Sequence, residues 1–592
     1  MELIPQLIFK NMRNLADKPA ISTRNDSGVW ESTTWSEFGN EVNAVSKSLI
    51  AIGMNPDDKI SIYGFNAKSW YSTYFGMQVI GGVSVGVYHT CSSNEVNWIV
   101  GNSDSKVVFV GQNPMDNGDS SKMPNQRLLA SLEELPNVEA VVMFPGVEVL
   151  NHPKMMTWDE FILKGSNIED DAVQSRLNSL SSDSVACLIY TSGTTGNPKG
   201  VMLTHGNWSF ELESGQKIFG IEKGERYISW LPLAHVFGQL IDLNYWAYKG
   251  MHLHVCNNPL MVVDYAKEVK PHFFIGVPRI YEKIFSNLNA AISEKAILKK
   301  GLKLPLLGGL LRNKLKEAVG FSDTRIMISG AAPINTDILE LFHDLGIPLY
   351  EGYGMTENTG GASSNYPGNN KIGAVGKPVP NTEIKIANDG EVLIKGSHVM
   401  KGYYKNPDAT KETIIDGWLH TGDVGQMDSD GYLKITGRKK EIYVSSGGKN
   451  IAPLIIEETM KSIPVVSQCF LVGDGRKYCS ALFTLDVGAL LRDKLNVDAQ
   501  KIPKDPVEQL AMLSSKGHDL SDFTESEDIK VEIQTQVDNL NGQFSNPEQV
   551  KKFSILPRDF TIDDGELTPT LKIRRIQIRE NWAHIINAIY TD

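Results

Sequence analysis

The residues with the clearest chemical potential form one run, Tyr190-Thr191-Ser192-Gly193-Thr194-Thr195-Gly196-Asn197-Pro198-Lys199-Gly200. Gly193, Gly196 and Gly200 let backbone N–H groups approach an anion closely. Thr191, Ser192, Thr194 and Thr195 add hydroxyl donors, and Lys199 adds a mobile positive charge. The run follows Val185-Ala186-Cys187-Leu188-Ile189-Tyr190, which reads as a strand, so the loop suits phosphate. Lys199 is followed by Gly200 rather than Ser or Thr, which departs from the Walker pattern. A flexible surface loop would share this composition. Further along, Glu357 follows a glycine-bearing turn and could hold Mg²⁺ through few protein contacts, or cap the next helix. Tyr353, between Gly352 and Gly354, could lay its ring on a base or fill a surface gap. Asp423 after Thr421-Gly422 could accept both hydroxyls of a ribose or simply shape a turn. His235 lies in the apolar run Leu231-Pro232-Leu233-Ala234-His235-Val236-Phe237-Gly238, where a hydrogen-bonded core histidine is the ordinary reading. Lys572, in Leu571-Lys572-Ile573-Arg574-Arg575, reads on charge alone as part of a solvated basic patch.

These residues need a scaffold, and the pattern supplies one. Short β-rich runs alternate with longer helical stretches: among Ile60–Tyr63, Val107–Val110, Val185–Tyr190, His272–Ile275 and Arg325–Ile328, several are apolar at successive positions. Strands covered by helices on both faces look like this, so the fold class is α/β with parallel sheets. Glu383–Ile386 and Glu391–Ile394 flank Asn388-Asp389-Gly390 and predict an antiparallel hairpin. A boundary is expected near Gly437-Arg438-Lys439-Lys440, giving a large N-terminal region of packed α/β subdomains, residues 1–437, and a small C-terminal α+β domain, 438–592. Residues 500–550, polar and carrying Pro503, Pro506 and Pro547, read as helices and loops on the outside of the smaller domain.

The 592 residues exceed what one core usually serves. A composition 41% hydrophobic and 22% charged reads as globular, and a net charge of −12 argues against a nucleic-acid partner. Five scattered cysteines without Cys-x-x-Cys disfavour a disulfide framework or structural zinc and suit a reducing compartment. No apolar run reaches the roughly 20 residues of a membrane span, and the N-terminal residues lack a secretory pattern. The expected location is cytoplasmic.

Five motifs in order resemble the adenylate-forming superfamily of acyl-CoA synthetases, adenylation domains and luciferases. They are the 190–200 loop, Ser329-Gly330-Ala331-Ala332-Pro333, Tyr350-Glu351-Gly352-Tyr353-Gly354-Met355-Thr356-Glu357, Gly417-Trp418-Leu419-His420-Thr421-Gly422-Asp423 with Gly437-Arg438-Lys439-Lys440-Glu441, and Leu567-Thr568-Pro569-Thr570-Leu571-Lys572. The resemblance implies ATP and coenzyme A as co-substrates and Mg²⁺ as cofactor. It implies that residues Thr191 to Lys199, Gly330, Ala331 and the segment Gly352 to Glu357 bind the nucleotide, that Thr191 and Glu357 place the metal, and that Asp423 and Arg438 hold the ribose. His235 would stand at the mouth of the acyl pocket, and Lys572 would swing in to bridge carboxylate and phosphate. It also implies a C-terminal domain that rotates about Lys440 between two half-reactions, with Gly447 and Gly448 lining the thiol's tunnel, although a plain β-turn would use the same glycines. Leucine at 571, where many branches have glycine, and the 417–441 stretch are similar to long-chain fatty acyl-CoA synthetases, including the bubblegum type. Other members of the superfamily, such as luciferase-type oxygenases, carry the same motifs, and a catalytically silent lipid-binding relative is the alternative of another class. Between Lys295 and Lys316 seven basic and no acidic residues interleave with leucines, a candidate peripheral membrane contact or a solvated helix face. No obligate protein partner is implied.

Overall fold

A computed structural model describes residues 2–116, 118–191, 197–293, 305–444, 450–568 and 571–591, without the side chains of 286, 287, 289–293, 305–307 and 500. Among the described residues the fold is α/β with several sheets. The largest sheet runs, in spatial order, Gly402–Tyr403, Lys199–Thr204, Val185–Thr191, Val83–Val87, Lys59–Tyr63, Ser105–Val110, Ala140–Met143 and Met155–Thr157. From Val185–Thr191 to Met155–Thr157 neighbouring strands are parallel; Lys199–Thr204 returns antiparallel against Val185–Thr191. A second sheet sets Phe273–Gly276, Ile326–Ser329 and Leu349–Tyr353 in parallel. The five apolar runs singled out in the sequence all become strands of these two sheets, buried on both faces because helices such as Trp35–Ala51 and Lys68–Val79 pack over them. The predicted hairpin pairs Glu383–Ile386 with Glu391–Lys395, and Gly390 takes φ +86° at its turn.

One apolar cluster extends through the chain from Ile4 to Tyr403, including Trp246 stacked on Trp35 at 4.7 Å. Separate clusters lie between Tyr443 and Val550 and between Phe470 and Ile589, around the sheet Val466–Val472, Cys479–Leu485 and Val550–Ile555. Of residues 500–550, the helices Pro506–Ser515 and Glu527–Asn541 cover that sheet. All five cysteines are buried and free, and burial raises the Cys187 and Cys256 thiols to about 12, so they are inert packing groups. No helix among the described residues is long and apolar enough to cross a membrane. Of the basic, leucine-rich segment, 294–304 lie outside the described residues; the helix Pro305–Ala318 follows, with Leu310 64% exposed.

The last strand-to-helix passage is fixed by one cation. Arg575 begins the helix Arg575–Asn581 and donates to both oxygens of Glu457, one at 2.8 Å, and to Glu441 at 3.3 Å. Glu457 is only 3% exposed, and its carboxylate is paired by this guanidinium and by the Leu471 N–H at 2.7 Å. Arg575→Ala should therefore destabilise the C-terminal part by ~3–5 kcal/mol, whereas Arg575→Met with Glu457→Leu should cost much less. Denaturant unfolding followed by circular dichroism would check it; equal losses in both proteins would contradict the assignment.

Candidate active site

The hairpin of Val185–Thr191 and Lys199–Thr204 pairs Thr191 directly with Lys199, so the intervening loop starts and ends at one place on the sheet. Ser192, Gly193, Thr194, Thr195 and Gly196 lie outside the described residues. Asn197 is exposed, Pro198 is half-buried, and the Pro198 carbonyl accepts a hydrogen bond from Trp98 Nε1 at 2.9 Å. Lys199 Nζ stands 4.8 Å over the ring of Tyr403, whose own strand pairs with Lys199–Thr204. The Tyr403 hydroxyl donates to Glu357 Oε1 at 2.8 Å, and the Glu357 carbonyl accepts from the Met400 N–H. Glu357 is 8% exposed. Thr191, Lys199, Tyr403 and Glu357 are thus gathered at one edge of the largest sheet. Tyr403 was not singled out from the sequence, where it is one of two adjacent tyrosines with no motif around it.

Asp423 makes the second cluster. Its strand Trp418–Met427 pairs with Leu433–Arg438, setting Asp423 opposite Arg438. Arg438 Nε donates to Asp423 Oδ1 at 2.9 Å, and the Tyr353 hydroxyl donates to Oδ2 at 2.7 Å. Burial and then the Asp423 charge push the Tyr353 phenol well above its ordinary range, so it stays a donor. Desolvation works against the Arg438 charge, but Asp423 and Glu441 outweigh it and raise its pKa. Each Asp423 oxygen keeps a lone pair for a further donor such as a sugar hydroxyl. Tyr353 ends the strand Leu349–Tyr353 between Gly352 and Gly354. A methyl on Gly354 would lie 2.3 Å from the Gly360 carbonyl oxygen, which is why this turn needs glycine. Met355 N–H donates to Asn358 Oδ1, and Thr356 is buried at the start of the short turn carrying Glu357.

Lys572 enters this cleft from the C-terminal cluster of helices and strands. Its N–H donates to Thr568 Oγ1 at 3.0 Å, and Leu571 before it takes φ +61°, a left-handed conformation that costs a non-glycine residue ~1 kcal/mol or more. The ammonium is reached by water through the open cleft yet crowded by protein atoms; desolvation and then Arg438 lower its pKa, against Asp423, Glu357 and Glu441. Ion pairs dock its surroundings on the large region: Arg574 with Glu95 at 3.0 Å, Arg279 with Asp486 at 3.3 Å, and Lys504 with Asp264. His235 caps a short turn by accepting the Phe237 N–H on Nδ1 at 3.2 Å, which leaves its proton on Nε2. Desolvation, then the Lys572 charge, lower its pKa to about 3, so the ring is neutral. Gly330, Ala331, Gly352 and Gly354 line the same cavity as His235, which continues into an apolar wall that includes Phe237, Leu240 and Tyr245. Lys440 is exposed outside the cleft, and Gly447 and Gly448 lie outside the described residues.

Beneath His235 runs a buried polar network. Asp242 accepts from Tyr227 at 2.8 Å and from Ser229, and Ser229 is reached by Tyr71 and Asn66. Asn66 also holds the 231–233 loop, donating to the Leu231 carbonyl at 2.9 Å and accepting from Leu233 at 3.3 Å. Asp242 lies in a π-helical stretch, Gln239–Tyr245. Burial raises its carboxyl to about 8, against the Ser229 and Tyr227 donors.

A buried carboxylate, a hydroxyl beside it and cations near a largely apolar cavity can bind a polyphosphate and an acid with a hydrocarbon tail. The comparisons with known proteins agree in kind. The sequence profile of the AMP-binding enzymes matches residues 8–404. The long-chain-fatty-acid–CoA ligase FadD15 of Mycobacterium bovis is 34% identical, covering 99% of this chain and 97% of that protein. The long-chain-fatty-acid–CoA ligase ACSBG2 of Xenopus laevis is 29% identical, covering 100% of this chain and 84% of its own. Among solved structures, the anthranilate CoA ligase AuaEII with anthranoyl-AMP superposes with a TM-score of 0.72 at 20% identity, over 99% of this chain and 98% of that one.

The Asp242 network carries a pH signature. The unfolded chain releases this proton near the ordinary aspartate value and the folded chain holds it to about 8. The Asp242 contribution is therefore fully present at acid pH and is lost as pH rises through about 8. Asp242→Asn should flatten the fall in stability between about pH 5 and about pH 8. Denaturant midpoints across that range would test this; parallel curves for both proteins would refute it.

Proposed function

The chain belongs to the AMP-binding enzyme family, and we propose that it activates a long-chain fatty acid with ATP to an acyl-adenylate and passes the acyl group to coenzyme A, releasing AMP and pyrophosphate. The observation that carries this reading is the convergence of Lys572, Glu357, Asp423, Arg438 and His235 on one cleft that opens into an apolar cavity. In this assignment Lys199 and the loop from Ser192 to Gly196 take the terminal phosphates. Tyr353 faces the base beside Gly330 and Ala331, and Asp423 with Arg438 holds the ribose. Lys572 lies between the fatty carboxylate and the α-phosphate, two anions that otherwise repel, and stabilises charge developing at phosphorus. A carboxylate is ionised at neutral pH, so the attack needs no base. His235, neutral and protonated on Nε2, can donate to the carboxylate and orient it without adding charge.

The donors fit Mg²⁺. Glu357 offers a largely buried carboxylate, one oxygen of which is fixed by Tyr403, and Thr191 ends its strand at the same sheet edge with a hydroxyl. Magnesium asks for one or two such oxygens and completes its shell with water and phosphate. When bound, it neutralises the departing pyrophosphate. Thioester formation wants the thiol where the polyphosphate stood, so the C-terminal domain, taken from residue 438, is assigned a rotation about Lys440, with Gly447 and Gly448 lining the thiol's path. The basic segment from Lys295 to Lys316 suits contact with a membrane from which such a lipid substrate is drawn.

Two variants separate the half-reactions. Lys572→Ala should reduce fatty-acid-dependent exchange of labelled pyrophosphate into ATP by about a hundredfold or more, while thioester formation from supplied acyl-AMP stays near wild type. Lys440→Pro should do the reverse. Equal loss of both steps in Lys572→Ala would show the lysine misassigned, and no exchange by wild type with any fatty acid would remove the function itself.

A further inference from the structure

The acyl side of the cavity is not uniformly apolar. Glu211 stands on the helix His205–Phe219, on one face with Gly215, Ile218 and Phe219, and all four line the cavity. It is 5% exposed, its Oε2 has no hydrogen-bond partner, and no ion pair among the described residues includes it. Desolvation raises its pKa well above the ordinary carboxylate value, which favours the protonated acid. The backbone opposite leaves room for it: a methyl on Gly361 would lie 2.1 Å from Glu211 Oε1. Gly361 lies just after the short turn Thr356–Asn358 that carries Glu357, so Glu211 stands where that segment borders the apolar wall.

Burying a polar group without a partner is unfavourable, and a leucine would line this wall without that cost. A carboxylic acid offers one donor and one acceptor side by side. The partner that matches both is an alcohol, which accepts the acid proton and donates its own. We infer that Glu211 is a specificity-determining residue that hydrogen-bonds a hydroxyl carried on the acyl chain, so that the cavity takes hydroxylated fatty acids in preference to unsubstituted ones. The inference rests on the fatty-acid activation proposed above. A keto group accepts but cannot donate, so it should be favoured less.

The experiment compares stearic acid with hydroxystearic acids bearing the hydroxyl at successive positions, scored by pyrophosphate release for wild type, Glu211→Gln and Glu211→Leu. For the isomer whose hydroxyl reaches residue 211, wild-type kcat/KM should exceed that for stearic acid by about tenfold. Glu211→Gln, which retains a donor and an acceptor, should keep most of that ratio, and Glu211→Leu should bring it close to one. A wild-type ratio near one for every isomer overturns the inference without any variant having to fold. The same ratio in all three proteins overturns it too, because Glu211 is then only a filler of the wall. Turnover of stearic acid itself is the separate check on fatty-acid activation: its absence for every acid would sink that reading, not the selectivity alone.

Discussion

Asp423 accepts one hydrogen bond from Tyr353, 70 positions earlier, and another from Arg438 on the next strand, and through these two contacts a single carboxylate ties together three segments of the chain. Tyr353 ends a strand of the second parallel sheet, Asp423 sits mid-strand in the antiparallel sheet, and Arg438 is the last residue of the next strand, just before the smaller domain proposed from residue 438. With Asp423 only 5% exposed, neither partner can be lost without leaving a buried charge poorly satisfied. Register across the pair Asp423 and Arg438 therefore fixes both the proposed ribose site and the proposed point where the chain leaves the large region.

The same cleft manages its charges by pairing and by crowding. Arg438 is kept charged by Asp423 and Glu441, whereas Lys572 is pulled down by desolvation and Arg438 and held up by carboxylates around it. A cation balanced in this way is poised to gain most when further anions arrive, because each added negative charge in a partly desolvated site counts for more than in water. His235 takes the opposite route. Its neutrality, fixed by burial and by Lys572, suits the role proposed for it, a donor to a carboxylate that does not compete for the lysine's place. The loop bearing it rests on the Asn66, Ser229 and Asp242 network, so a polar core beneath supports a polar edge above.

Much of this could be read from the residues. Apolar runs such as Val185–Tyr190 announced buried parallel strands because burial on both faces leaves no polar alternation, and the positions of Thr191 and Lys199 at the two ends of one strand-to-strand loop follow from the strand pattern around them. What the sequence hid was long-range. Tyr403 meets Glu357 across 46 positions, and nothing in Gly402-Tyr403-Tyr404 hints at it. Glu211 looks like an ordinary polar residue of an amphipathic helix, since its isolation comes from the packing of Gly361 and the cavity wall rather than from its neighbours in sequence. The strain at Leu571 is equally silent: a leucine announces no left-handed turn, and tertiary context holds it there.

The two ways in which Lys572 is held differ in strength, and that difference bears on the proposed rotation. Within its own part of the chain, Arg575 is pinned by Glu457 and Glu441 in a largely buried arrangement, so the segment that bears the lysine moves only with its surroundings. Between the two parts, the pairs Arg574 with Glu95 and Arg279 with Asp486 are open to solvent, and pairs of this kind contribute ~0–1 kcal/mol each and weaken with salt. A body that is firm inside and lightly attached outside can carry a cation into the cleft for one step and withdraw it for the next. Lys440, the hinge proposed for that movement, is exposed next to Glu441.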